Sequence, residues 1–373
     1  MKDITEQTLL LMPQSQISFG FGEEMTAASA ATGISQYWAN ASIKSPLRWA
    51  GGKYYARKLI LAQLPPAALV GTYIEPFCGG GSIFFAKPKA VTATVLADAD
   101  PLLTNCLQQI RDNVEALIAL LTDNIQISKA AQHFYKNLYL PTSDLERAFR
   151  YFYLNRVSYG GIMTRSHCYF GYDPDFSMPP SQWPGLLRRA SAKLQGVSLV
   201  CQDFEETIEA APDGACLFID PPYWFAGSSR LYVHSFRLSD HLRLTQSLKA
   251  HAHRLSFLLT YDDVPEVREL YKWATSITHN SWRYNLNRTD YQVIGGQEQD
   301  DNIANQADSS LVLTGKRAMG KELFISNYQQ LARYAYHFNK TSSTTTVLLT
   351  DPTNKHVQLE IFPTLALQTK KVG

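Results

Sequence analysis

Asp220, Pro221, Pro222 and Tyr223 form the tetrapeptide whose residue types point most directly to a reaction. An aromatic amine is a poor nucleophile because its lone pair is delocalised into the ring. A carboxylate and a backbone carbonyl held side by side can accept its two N–H protons and localise that lone pair. Asp220 and the carbonyl of Pro221 offer such a pair. The prolines stiffen the turn and remove competing N–H donors. Tyr223 offers a flat face to a base taken out of a duplex. The plainer reading is a loop with a Pro-Pro turn. The tetrapeptide follows the apolar run 215–219, however, and the end of a core strand is where open α/β sheets bind ligands.

A second motif, Glu75-Pro-Phe-Cys-Gly-Gly-Gly-Ser82, lies between an expected strand and an expected helix. Glycines there allow a tight turn and a close approach of backbone to ligand. Asp98 ends the next expected strand, 17 residues after Gly81, near the spacing of ribose-binding acids in nucleotide folds. A plain turn is the alternative. A third motif, Arg48-Trp-Ala-Gly-Gly-Lys53, precedes the first strand. Trp49 could line a ligand pocket and Lys53 could reach a carboxylate; otherwise the segment is a basic helix start. Five scattered cysteines without a C-x-x-C pair exclude a disulfide framework and a thiolate metal site, and suit a reducing cytoplasm. No metal is expected.

These motifs need a scaffold. Short β-rich runs at 72–75, 92–97, 197–201, 215–219, 255–260, 275–281 and 322–326 alternate with helical patterns at 101–121, 203–210, 239–250 and 264–273. Such alternation predicts a mainly parallel, doubly wound sheet. It breaks once, at about 106–195, where several helices and a long loop predict an inserted helical subdomain. Residues 1–43 read as a polar extension, and 329–373 as a tail of undefined structure beginning near the low-complexity run 341–346. The net charge of +2 announces no partner. Local charge is more telling. Residues 44–58 hold five basic groups and no acid, and 147–193 hold seven basic groups against Asp173 and Asp175. Tyrosines and Trp183 are interleaved, as on a nucleic-acid surface; solvated helix faces are the alternative. No apolar run approaches a membrane span of about 18 residues.

At this point the sequence resembles the Dam-type (D12 class) DNA adenine-N6 methyltransferases. The resemblance rests on RWAGGK (48–53), EPFCGGGSIFF (75–85), LADADPLL (96–103), YFYLNRVSYGGI (151–162) and FIDPPY (218–223), and extends more loosely through 235–239 and 321–323. It implies an α/β, Rossmann-like methyltransferase fold with seven strands, one of them antiparallel. The catalytic domain would be split into 44–105 and 196–328 around a helical target-recognition insert at 106–195. It implies S-adenosylmethionine as cofactor, held by Trp49, Ala50, Lys53, Glu75, Phe77, Gly79, Gly81, Asp98 and Asp220. Asp220, Pro221, Pro222 and Tyr223 would act on a flipped adenine. Arg48, Asn155, Arg156, Tyr159, Arg165, Arg188 and Arg189 would serve the DNA face. The implied partner is double-stranded DNA, with or without a companion restriction endonuclease. The chain is expected to be cytoplasmic, and a monomer or weak dimer.

There are departures. Tyr159 is followed by Gly160 and Gly161 where enzymes reading GATC usually carry Asn-Gly, Arg165 is slightly displaced, and 283–288 lacks the family's serine-rich character. GATC is therefore only a default target. Cytosine N4, RNA, and a non-catalytic DNA-binding relative are the other readings. Asp at position 220 favours adenine by family analogy. Asp262 and Asp263, at the end of an expected strand, read as helix caps.

Overall fold

The computed structural model of the chain describes residues 42–65, 70–164, 166–224, 235–283 and 319–328, with four strands between 337 and 371. In chain order the elements are α1 (Arg57–Gln63), β1 (Thr72–Glu75), α2 (Ser82–Ala86), β2 (Ala93–Asp98), α3 (Pro101–Asp112), α4 (Val114–Asn124), α5 (Lys129–Asn137), α6 (Asp144–Val157) and α7 (Trp183–Leu194). Then follow β3 (Ser198–Cys201), α8 (Phe204–Glu209), β4 (Cys216–Ile219), α9 (Leu238–His251), β5 (Ser256–Asp262), α10 (Pro265–Leu270), β6 (Ser276–Arg283) and β7 (Met319–Ser326).

The seven strands form one sheet in the order β3-β2-β1-β4-β5-β7-β6. All neighbours are parallel except the two pairs made by β7, which slots between β5 and β6 in the opposite direction. Each expected strand is present. Alternation along the strands fills both faces. Tyr73, Phe218, Leu258 and Phe324 pack with Ile60 of α1. Ile74, Leu217, Leu259 and Ile325 pack on the other face with Ile208, Leu244 and Val267 of α8, α9 and α10.

The helices between β2 and β3 share a core with that end of the sheet: Leu96 and Leu199 cluster with Leu103, Phe149, Phe152 and Trp183. The first of them, α3, starts with Pro101 behind Asp100, whose carboxylate accepts the N–H groups of Leu102 at 2.8 Å and Leu103 at 3.3 Å. The single helix expected over 101–121 breaks at Asn113, whose φ of −130° and ψ of 34° leave the helical region. The central helix α6 begins with a Ser143–Glu146 capping box and buries a continuous run from Tyr151 to Val157. Within that run Asn155 is wholly buried. Its Oδ1 accepts the Arg48 N–H at 2.8 Å, and its Nδ2 donates to the Arg48 carbonyl at 2.8 Å and the Gly161 carbonyl at 3.3 Å. One amide thus ties the segment before α1 to the turn after α6.

The C-terminal tail is more ordered than expected. The strands β8 (His337–Thr341), β9 (Thr344–Thr350), β10 (His356–Ile361) and β11 (Leu367–Lys371) pair antiparallel in sequence. The low-complexity threonines pair directly, Thr341 with Thr344, as suits β-branched residues in a hairpin. Residues 1–41, 66–69, 225–234, 284–318 and Arg165 lie outside the described residues. Among the described residues no helix is long and apolar enough to cross a membrane.

Replacing Asn155 with Ala orphans both backbone groups of Arg48. Each buried polar group without a partner costs about 1–3 kcal/mol. Urea denaturation should show a loss of at least that size, and Asn155→Asp, which keeps the acceptor but not the donor, should fall between the two.

Candidate functional site

At the middle of the sheet β1 pairs with β2 on one side and with β4 on the other, through Tyr73–Cys216 and Ile74–Leu217. Strand order reverses there, and the crevice beyond the carboxyl ends is the expected ligand site of such sheets. Glu75 ends β1, Asp98 ends β2, and Asp220 follows β4. Three separate sequence motifs thus meet on one edge.

The turn after β1 is built around Asp98. Its Oδ2 accepts the Gly79 N–H at 2.9 Å, and its Oδ1 accepts the Asp100 N–H at 3.1 Å. Gly79 has φ of 47°, and a Cβ there would lie 2.7 Å from the indole of Trp49, so no other residue fits. Gly81 supplies a left-handed N-cap to α2. The segment before α1 folds over this turn: the Ser45 hydroxyl donates to the Gly80 carbonyl, and Ile43 N–H to Phe85 O at 2.9 Å. Trp49 and Ala50 are carried to the crevice in this way.

Asp220 sits in a compact polar group. Its Oδ1 pairs with the Lys53 ammonium at 2.7 Å and accepts the Thr260 hydroxyl at 2.8 Å. Lys53, 5% exposed, also donates to the Gly51 carbonyl at 3.0 Å and lies 4.7 Å from the centre of the Tyr223 ring. That ring also stacks on Tyr261, with centroids 5.7 Å apart at 27°. The Tyr223 hydroxyl donates to Glu322, and burial raises the phenol well above its ordinary range. From the sequence, Tyr223 is expected to offer a flat face to a base and Lys53 to reach a carboxylate. In the structure Lys53 covers that face and is held by Asp220. Pro221 is buried behind the turn. The Trp224 N–H is held by Asp262 at 3.0 Å.

Beside this group lies a cleft of about 270 Å³, close to the lower limit of about 300 Å³ for small-molecule sites. Trp49, Ala50, Phe77, Gly79, Asp98, Asp220 and Pro222 line it. So do Ser235 and Phe236 of the loosely matching segment, and Asp203, Phe204 and Asp240, to which the motifs assign no role. Phe77 stacks on Phe204 at 5.2 Å and meets Phe236 edge-on at 5.7 Å. Asp203 is engaged by Arg243 at 2.7 Å. The missed residues had a signal: Asp203-Phe204 and Thr260-Tyr-Asp262 both fall at the end of a strand on the same edge as Asp220.

The residues assigned to a DNA face divide. Tyr159 is 49% exposed on a 3-10 turn, Tyr159–Gly161, whose Gly161 borders the cleft. Arg189 is exposed. Arg188 is exposed but clamped bidentately by Glu115, both contacts at 2.7 Å. Asn155 is buried as described, and Arg156 is 7% exposed; burial, with Arg48 nearby, lowers its guanidinium to about 10. Arg48 spends its Nη1 on the carbonyls of Arg156 at 3.3 Å and Ser158 at 3.1 Å. Asn155 and Arg156 therefore brace this face from inside, while half-buried Arg48 commits its Nη1 to the same bracing. Asp262 and Asp263 are not helix caps either: the N-cap of α10 is Val264, and Asp263 pairs with Arg268 at 2.6 Å and His279 at 2.7 Å.

Two buried carboxyls stand out. Burial pushes Glu322 up to about 8, with Lys53 opposing and Asp220 adding to the shift. Burial pushes Glu75 up to about 7, against the hydrogen bond from Tyr73 at 2.8 Å and the charge of Lys87. Glu75 is turned toward Tyr73 beneath the cleft, and is 2% exposed. A carboxyl raised on folding keeps its proton in the folded chain after the unfolded chain has lost it. Its stabilising contribution is complete below the ordinary value of 4.5 and declines as pH rises to about 7. Glu75→Gln carries no such loss. The stability of the parent chain relative to Glu75→Gln should therefore fall between pH 5 and pH 7.5, measured by urea denaturation; a constant difference would show that Glu75 keeps an ordinary carboxylate.

Comparison with known proteins accords with this geometry. The family model of the D12 class N6 adenine-specific DNA methyltransferases matches residues 49–286. Over 242 residues the chain is 29% identical to the DNA N-6-adenine-methyltransferase of Escherichia phage P1, covering 61% of this chain and 31% of that protein. It is 28% identical over 249 residues to the Type II methyltransferase M1.LlaDCHI of Lactococcus lactis subsp. cremoris, covering 60% of this chain and 83% of the relative. It is 28% identical over 248 residues to the DNA adenine methylase of Serratia marcescens, covering 61% and 87%. The match thus spans about a third of the phage relative and more than four-fifths of the other two. Since the family match takes in the Gly turn, Asp98, the helices between β2 and β3 and the Asp220 tetrapeptide, the chain belongs to the D12 class N6 adenine-specific DNA methyltransferase family.

Proposed function

We propose that the chain transfers a methyl group from S-adenosylmethionine to the N6 amine of an adenine rotated out of duplex DNA. The observation that carries this reading is the placement of Asp220. Its carboxylate stands at the end of β4, on the cleft, already engaged by an N–H donor, the Lys53 ammonium at 2.7 Å. An amine donating to the same oxygen would enter at the same place.

The cleft suits the cofactor. Phe77, Phe204 and Phe236 offer an aromatic wall for its adenine and Asp98 an acceptor for a ribose diol, while Lys53, in the adjoining recess with Asp220, offers a cation for its carboxylate. The cofactor supplies a methyl group made reactive by the sulfonium that releases it. The chain supplies orientation. Asp220 and the Pro221 carbonyl accept the two amine hydrogens, localise the nitrogen lone pair toward the methyl carbon, and give the released proton an acceptor. Lys53 now covers both the Asp220 oxygen and the Tyr223 face, so base capture requires Lys53 to turn toward the cofactor carboxylate. Tyr223 then offers the uncovered face to the base.

The helical segment 106–195 is our target-recognition element. Its turn Tyr159–Gly161 stands at the rim of the cleft, where Tyr159 can fill the gap a rotated base leaves. Arg189 is its exposed cation for phosphate. Arg188, paired with Glu115, contributes little. Five free cysteines, four of them buried, suit a reducing compartment.

Two outcomes test the reading. Asp220→Ala should lower labelled-methyl transfer to DNA by on the order of 10²–10³-fold or more, as when one preorganised polar group is removed from an active site. Turnover near the parent level would overturn the assignment. Asp98→Ala should weaken S-adenosylmethionine binding by about 1.5–3 kcal/mol through lost charge-assisted hydrogen bonds, measured by calorimetry.

A further inference from the structure

The last strand of the sheet brings a carboxyl to the site from the loosely matching segment 321–323. Antiparallel pairing of β7 sets Glu322 opposite Asp262 of β5 and Asn280 of β6, at the catalytic edge. Its side chain is 1% exposed, and it accepts the hydroxyl of Tyr223. Burying a carboxyl is costly unless its oxygens are used. A hydrophobic residue would fill the same position in the sheet without that cost, so a structural role alone leaves the acid unexplained.

What it holds is specific. The Tyr223 ring is fixed at its hydroxyl by Glu322, stacks on Tyr261 and lies under the Lys53 ammonium. Tyrosine has two side-chain torsions. An anchor at the far end of the ring, combined with a stacking partner, leaves those torsions one arrangement. We propose that Glu322 is the positioning residue for Tyr223, holding the ring through its hydroxyl so that its free face meets an incoming base at a fixed angle. This rests on the methyl-transfer reading above. Glu322 touches no reacting atom and acts through the tyrosine. A ring fixed beforehand loses less freedom when the base arrives, which strengthens capture.

The test uses the full chain, unmethylated genomic DNA and S-adenosylmethionine labelled in its methyl group. Removing the hydrogen bond from either side, by Tyr223→Phe or by Glu322→Ala, should lower kcat/KM for DNA about tenfold, the worth of one such bond. The Kd for S-adenosylmethionine should stay at the parent value in both, which loss of structure would not allow. Glu322→Ala combined with Tyr223→Phe should be no worse than either alone, and Glu322→Gln, which keeps an oxygen acceptor, should recover most of the loss. Should Glu322→Ala fail to fold, Tyr223→Phe and Glu322→Gln carry the same comparison. The proposal is overturned if Tyr223→Phe transfers methyl as well as the parent, if the two losses multiply in the double variant, or if cofactor affinity falls in step with kcat/KM. A parent chain that transfers no methyl to DNA would instead defeat the functional reading itself, and this proposal with it.

Discussion

Parallel pairing of β1 with β4, through Tyr73–Cys216 and Ile74–Leu217, is the constraint on which the catalytic edge depends. The chain leaves β1 toward β2 and returns to β4 only after the helices and β3, so the two central strands are close in space and about 140 residues apart in sequence. Everything that follows them is delivered to one crevice. The Gly turn lies beyond β1, the Asp220 tetrapeptide beyond β4, and β5 adds Thr260, Tyr261 and Asp262 from the next position in the sheet. The N-terminal segment is drawn to the same place by the Gly80 carbonyl on one side and Asn155 on the other. A slip in the central pairing would separate all of these groups at once.

The charge balance of the crevice follows from how little water reaches it. Lys53 is 5% exposed and Glu322 1%, while the side chain of Asp220, paired with Lys53, is 19% exposed. One buried cation facing two acids cannot satisfy both as full anions without a large desolvation cost. The outer acid takes the ion pair, and the inner one is held close to neutrality and serves as an acceptor for Tyr223.

Much of this was readable from local pattern. The seven strands announce themselves because they are short apolar runs bounded by turn residues; all four residues of β4, for instance, are buried. The Gly turn and Asp98 are legible for the same reason, since the geometry that joins them is local to two consecutive strands. What was not legible depends on partners elsewhere in the chain. Glu322 faces Tyr223 only because β7 enters between β5 and β6, an order that no periodicity encodes. Asn155 and Arg156 are polar residues in a helix that is buried nearly all round, so their direction could not be told from spacing. Asp262 looked like a cap because a helix follows it; Pro265 at the helix start instead makes Val264 the N-cap, leaving the Asp262 carboxylate to hold the Trp224 N–H.

The position of β7 also sets an order of events during synthesis. It is last in sequence among the seven strands yet lies inside the sheet, hydrogen-bonded on both edges. Until residues 319–326 leave the ribosome, β5 has no partner on its outer side, and its five consecutive buried residues form an unpaired, apolar edge. If β6 paired with β5 in the meantime, it would have to be displaced before β7 could enter. The nascent chain therefore passes through a long interval in which it is most open to wrong pairing and in which Tyr223 has no anchor. A chain truncated before β7 would carry the Gly turn, Asp98 and the Asp220 tetrapeptide and still lack the Glu322 anchor of Tyr223.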